Sequence, residues 1–115
     1  MTQYLFSVVH DYANMPPVSD PKEDAEGMRR VGDFNNSIMD KIVFMGGLHS
    51  PDAATTCKVV NGEAIATDGP YTETKEIIGG LWVIEAATHE EAVELGKRAT
   101  QACGVTVEVR PFHSI

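Results

Sequence analysis

A chain of 115 residues is the usual size of one domain and can bury a core without disulfide or metal staples, so residues 1–115 are expected to form a single domain. Seventeen Asp and Glu against nine Lys and Arg give a formal net charge of −8, which argues against direct nucleic-acid contact, because phosphate binding needs clustered cations and these are few and scattered. No run approaches the ~20 apolar residues of a membrane span, and the apolar start Tyr4–Val9 lacks the basic flank and cleavage site of a signal peptide. A cytoplasmic protein with Cys57 and Cys103 as reduced, structural thiols is the expectation.

Residues 3–9 are β-rich and apolar in both registers, which predicts a strand covered on both faces. His10–Ser19, with Pro16-Pro17, reads as a loop. Asp20-Pro21-Lys22-Glu23 then reads as a helix start, with Asp20 as N-cap and Glu23 completing a capping box. Ala25, Met28, Val31, Ile38 and Ile42 form an approximately helical stripe and predict a helix to about Lys41. Val43–Leu48 returns to strand character, and Gly46-Gly47 marks a bulge or a close backbone approach.

Thr55–Val60 and Glu63–Thr67 flank Asn61-Gly62, a hairpin signal because a type I′ turn needs φ > 0 twice. The hairpin leads into Asp68-Gly69-Pro70, a backbone-fixing turn. Leu81–Ala86 is a further strand. Thr88-His89-Glu90-Glu91 offers a capping box for a second helix, with small residues Ala92, Gly96, Ala99 and Cys103 on one face and Gly104 ending it. Val105, Val107 and Val109 alternate with polar residues in a last strand stopped by Pro111.

This order is β-α-β-β-α-β with an inserted hairpin, which implies an α+β, ferredoxin-like fold with both helices on one face of an antiparallel sheet. The other face then poses a problem. Tyr4, Phe6 and Val8 oppose Leu5 and Val9, and Trp82 and Ile84 oppose Leu81 and Val83, so the central strands are apolar on both sides. A homodimer with its sheets face to face is the economical solution.

Candidate chemistry is sparse. Asp68, between a strand end and a Gly-Pro turn, is placed either to act as a base or to accept hydrogen bonds from its own turn. His49 precedes Ser50-Pro51-Asp52 and either reaches a sheet-end cavity or lies on a surface loop; histidine is the side chain suited to proton transfer near neutral pH. His10 leaves the first strand and pairs more reasonably with Asp68 or His49 than with its neighbour Asp11. Tyr71, Glu73 and Lys75 are the loop residues expected to touch a ligand. The competing reading of Glu73, Lys75 and Glu76 is a solvated charge run, or a clasp in which Lys75 pairs with Asp68 or Glu73. No metal or cofactor is expected: the histidines at 10, 49, 89 and 113 show no ligand spacing, and neither glycine pair sits in a phosphate-loop pattern.

Gly47-Leu48-His49, the Thr55–Thr67 hairpin, Asp68-Gly69-Pro70-Tyr71, Glu73-Thr74-Lys75-Glu76, Gly79-Gly80 and the terminal Val107-Glu108-Val109-Arg110-Pro111 together resemble the YCII-related (DGPF-domain) family, with Tyr71 standing where the motif has Phe. The resemblance implies a dimeric α-β barrel of ferredoxin-like subunits. It also carries two functional leads. Some relatives are thought to use a His-Asp pair beside the sheet, and one lineage is associated with removing chloride from a chlorinated hydroquinone; the relatives' His lies on the first helix, and residues 21–42 here contain none. Other members occur near or fused to extracytoplasmic-function sigma factors.

The resulting expectation is a homodimer with a sheet-end pocket lined by His10, His49, Asp68 and Tyr71. It would bind or transform a small organic molecule by cofactor-independent His/Asp acid–base chemistry of lyase or dehydrochlorinase type. The alternative is a non-catalytic interaction or regulatory module linked indirectly to sigma-factor-dependent transcription.

Overall fold

The computed structural model describes residues 1–11, 21–71 and 76–113. The elements follow as β1 (Thr2–Asp11), α1 (Pro21–Ser37), β2 (Ile42–Gly47), β3 (Thr55–Val60), β4 (Glu63–Asp68), β5 (Glu76–Ala86), α2 (His89–Cys103) and β6 (Thr106–Pro111). Strands β2, β5, β1 and β6 lie in that order in one sheet whose pairs are all antiparallel, while β3 and β4 form a separate two-stranded ribbon. With the hairpin set aside, this is the α+β, ferredoxin-like β-α-β-β-α-β order.

Alternation along the central strands sends Tyr4, Phe6 and Val8 of β1 and Trp82, Ile84 and Ala86 of β5 to the helix side. There they meet Phe34 and Ile38 and the small-residue face of α2, Ala92, Leu95, Ala99 and Ala102, in one buried cluster. Gly96 is part of that face for a packing reason: a Cβ on it would stand 2.5 Å from Val109 Cγ2. Thr88 caps α2 by accepting from the Glu91 N–H at 3.1 Å, the Glu91 carboxylate reaches back to the Ala87 N–H, and Gly104 closes the helix at φ 76°. The second capping box is therefore present in function, one residue displaced on its return leg.

The first helix departs from the expected one. It ends at Ser37, not near Lys41, and Met39–Lys41 form a single 3-10 turn. Asn35, Asn36 and Ser37 carry side chains that compete for local backbone groups, and Ser37 Oγ donates to the Phe34 carbonyl at 2.7 Å. Ala25 and Met28 are exposed, Met28 at 70%, and Ile42 belongs to β2. The inward face is Val31, Phe34, Asn35 and Ile38; it contains a polar residue, which is why counting apolar positions alone misplaced the stripe. The expected loop over residues 12–19, the Asp20 cap and the Glu23 side chain lie outside the described residues.

Strand β5 begins at Glu76, earlier than Leu81, and so carries Gly79-Gly80 within it. The register between β1 and β5 shifts between Val8 and Val9, where Val8 faces Gly80 and Val9 faces Ile78. Across the β2 edge a Cβ on Gly80 would lie 3.2 Å from the Gly46 carbonyl oxygen, so the glycines permit a close strand approach. The bulge in β2 itself lies between Ile42 and Phe44.

The outer sheet face carries Leu5, Val9, Leu81 and Val83, with Phe44 opposite Val83 and 61% exposed. No second layer covers it among the described residues. Extents of 48 × 45 × 18 Å describe one helix layer on one sheet, and the radius of gyration, 16.3 Å, exceeds the about 13 Å of a compact chain this long. The β3–β4 ribbon contributes to that spread. Its turn has Asn61 at φ 52° and Gly62 at φ 81°, as a type I′ hairpin requires, and its apolar face, Cys57 and Val59 opposite Ala66 and Ala64, is exposed. No described helix is long and apolar enough to cross a membrane.

Candidate functional site

Asp68 and Tyr71 lie at the surface. Strand β4 ends at Asp68 opposite Thr55, and the turn beyond it is held by backbone and hydroxyl groups: the Gly69 N–H donates to the Ala54 carbonyl at 2.8 Å, and Thr56 Oγ1 donates to the Gly69 carbonyl at 2.7 Å. Gly69 has φ 104°, open to glycine and strained for other residues. Asp68 is exposed, and its carboxylate accepts no side-chain hydrogen bond among the described residues. With Lys58 and Tyr71 it edges a hollow of about 140 Å³. Glu73 and Lys75 lie outside the described residues.

His49 is also exposed and lines a different groove, of about 280 Å³, with Leu48, Pro51, Pro70 and Ile77. Pro70 is shared between this groove and the Asp68 hollow. His10, on β1 opposite Ile77, is half-buried and lines neither. The structure thus places Asp68 and Tyr71 together and His49 beside them across Pro70, while His10 pairs with Ile77, which lines the His49 groove.

A third cavity, of about 270 Å³, opens between the helices and the sheet. Its floor is Val8 and Trp82 with the glycines of β2 and β5, and Val31, Asn35, Met45 and Cys103 form its walls. Trp82 is 5% exposed, and a buried indole needs an acceptor. It finds one: Nε1–H donates to Asn35 Oδ1 at 2.8 Å. Phe34 braces the indole edge-on at 5.5 Å and 81°, Arg98 lies over the Phe34 ring, and Arg98 Nη2 donates to Ser37 Oγ at 2.6 Å. One side of the cavity wall is therefore tied to α2 through a short chain of contacts. Cys103 is a free thiol that points a weak hydrogen bond at the Val105 carbonyl, 3.6 Å away.

Sequence reading missed this cavity. The signal available was the chain's one tryptophan, on a central strand under two helices. Its N–H demands a polar residue on the facing helix, and the glycine pairs remove the side chains that would otherwise fill the space beside it.

The YCII-related domain model matches residues 6–113. The chain belongs to the YCII-related family. This YCII-related chain is similar to an uncharacterized protein of Rhizobium meliloti (strain 1021), 39% identical over 95 residues that cover 79% of this chain and 77% of the relative. Within the YCII-related frame, α1 of this chain carries no histidine, and the polar residue it turns toward the sheet is Asn35. Among the described residues, no group of three or more His, Cys, Asp or Glu side chains is placed to hold a metal ion.

Proposed function

We propose that this YCII-related protein, one domain over residues 1–115, is a cytoplasmic homodimer that binds a small organic molecule in the cavity between its helices and sheet. The observation that carries the binding reading is the tethered pair at the cavity, Trp82 Nε1–H on Asn35 Oδ1: a mostly apolar pocket with one oriented polar group is the usual form of a small-molecule site. The cavity is rooted in buried Val8, Gly80 and Trp82, whereas the Asp68 hollow and the His49 groove are edged mainly by exposed side chains. An acid–base role for His49 with Asp68 is supported only by their shared neighbour Pro70, and for His10 only by its strand partner Ile77, which lines the His49 groove.

The dimer reading rests on the outer sheet face, where Phe44, Val83, Leu5 and Leu81 form an apolar surface opposite the helix layer. A two-stranded ribbon is marginal alone in water, so the β3–β4 hairpin is expected to rest on the second copy as well. The cytoplasmic assignment agrees with two free cysteines.

Thermal-shift screening of a fragment set tests the binding reading. Hits should stabilise the wild-type protein, Asp68→Asn and His49→Ala alike, and should lose their effect in Met45→Trp, which fills the cavity. Hits that fail only in Asp68→Asn or His49→Ala would move the site to the loop. The second reading, an interaction module coupled to sigma-factor-dependent transcription, is favoured by the exposed apolar hairpin face of Cys57, Val59, Ala64 and Ala66. Co-purification of a sigma factor or polymerase subunit, lost in Val59→Asp, would establish it.

A further inference from the structure

The hydrogen bond between Trp82 and Asn35 decides what kind of ligand the cavity accepts; this step rests on the binding reading above and adds the ligand's chemistry. An indole N–H is a donor only, so the Asn35 atom it contacts must be the carbonyl oxygen. The amide orientation is thereby set by chemistry. Its other end, the Nδ2–H2 group, has two donors and no side-chain acceptor among the described residues. Asn35 is half-buried and lines the cavity, so among the described residues this group is the one strong side-chain donor offered there; the Cys103 thiol is weak and already directed at Val105.

The remaining lining excludes other chemistries. Among the described residues, no Lys, Arg, His, Asp or Glu borders the cavity, and the chain carries a net charge of −8, so this lining does not compensate an anion. A cation would find no carboxylate either. The indole and the flat glycine backbone of β2 and β5 favour a thin ligand, and Met45 adapts to its outline. A volume of about 270 Å³ is nearly twice that of the ~150 Å³ apolar cavity known to take up benzene, which corresponds to two fused rings.

We infer that the cavity takes a neutral, flat, mono- or bicyclic molecule bearing a carbonyl oxygen, which accepts a hydrogen bond from Asn35 Nδ2–H2 while the rings lie against Trp82 and the Gly79-Gly80 backbone. Asn35 is then the specificity residue of the site, and Trp82 is the residue that points it.

The single tryptophan gives one indole N–H cross-peak, which makes the test direct. The full-length 15N-labelled protein is titrated with 1-tetralone, with its hydrocarbon analogue tetralin and with the anion 1-naphthoate. 1-Tetralone should shift the Trp82 indole and Asn35 amide peaks and bind about three- to tenfold more tightly than tetralin, the difference one neutral hydrogen bond supplies. Asn35→Asp keeps an acceptor for Trp82 and lacks the amide donor, so it should lose the preference for 1-tetralone over tetralin. Equal binding of 1-tetralone and tetralin, tighter binding of 1-naphthoate, or a preference that survives in Asn35→Asp overturns the carbonyl assignment and leaves small-molecule binding standing. If none of the three moves the Trp82 peak, the binding reading falls with it.

Discussion

Trp82 Nε1–H donates to Asn35 Oδ1 across 2.8 Å, joining the central strand β5 to the helix α1 at the edge of a cavity. Replacing Trp82 by Phe keeps an aromatic ring against Phe34, deletes the donor and leaves Asn35 Oδ1 unpaired in a half-buried place. Such a loss costs about 1–3 kcal/mol, to which the smaller ring adds some lost packing. Urea unfolding followed by circular dichroism should show it as a lower midpoint at unchanged slope, since the variant has no tryptophan fluorescence to follow.

Gly96 and Val109 set the spacing of α2 on β6. An alanine Cβ at 96 would fall 2.5 Å from Val109 Cγ2, and Phe6 Cε2 is 4.0 Å away, so the methyl has nowhere to go unless Val109 turns. Alanine improves intrinsic helix propensity by about 1 kcal/mol, yet overpacking a β-branched neighbour costs about 1–3 kcal/mol. Gly96→Ala should be net destabilising by about 1 kcal/mol, and Gly96→Ala with Val109→Ala should recover part of that loss. Chemical denaturation of the wild type and the two variants checks both signs.

Thr88→Ala removes the side-chain acceptor of the Glu91 N–H and should destabilise by about 0.5–2 kcal/mol. Thr88→Ser retains the hydroxyl and should stay near the wild-type value. Melting temperatures of the two variants measured side by side separate the cap from any packing effect of the methyl group.

Phe44 and Val83 face each other on the outer side of the sheet. In the proposed dimer both are buried between copies, so Phe44→Glu or Val83→Asp should convert a particle of twice the 12.5 kDa chain mass into one of the chain mass. Light scattering at micromolar concentration checks it, and a wild-type protein that elutes at the chain mass would refute the face-to-face arrangement.

Local signals with a definite backbone requirement were legible before any coordinates. Asn61-Gly62 predicts positive φ at both positions and has it; Thr88 and Gly104 bracket the second helix; alternation in β6 marks a half-buried strand. The end of α1 was not legible, because Asn35-Asn36-Ser37 scores as weakly helical while Ile38 and Ile42 keep an apparent period beyond it. The cavity beside Trp82 escaped sequence reading for a related reason. Charged residues draw attention to Asp68, and a cavity made of absent side chains at Gly79-Gly80 and one amide at Asn35 leaves no cluster of ionisable groups in the sequence. Its existence depends on tertiary placement of β5 beneath α1.

The most direct measurement is a 15N-HSQC fragment screen of the full chain in which the peaks displaced by each hit are mapped onto the fold. The account predicts that hits displace the Trp82 indole peak together with Asn35, Met45 and Cys103, which line one cavity. Displacements confined to residues 48–54 and 67–71, around His49 and Asp68, with an unmoved Trp82 indole, would contradict it.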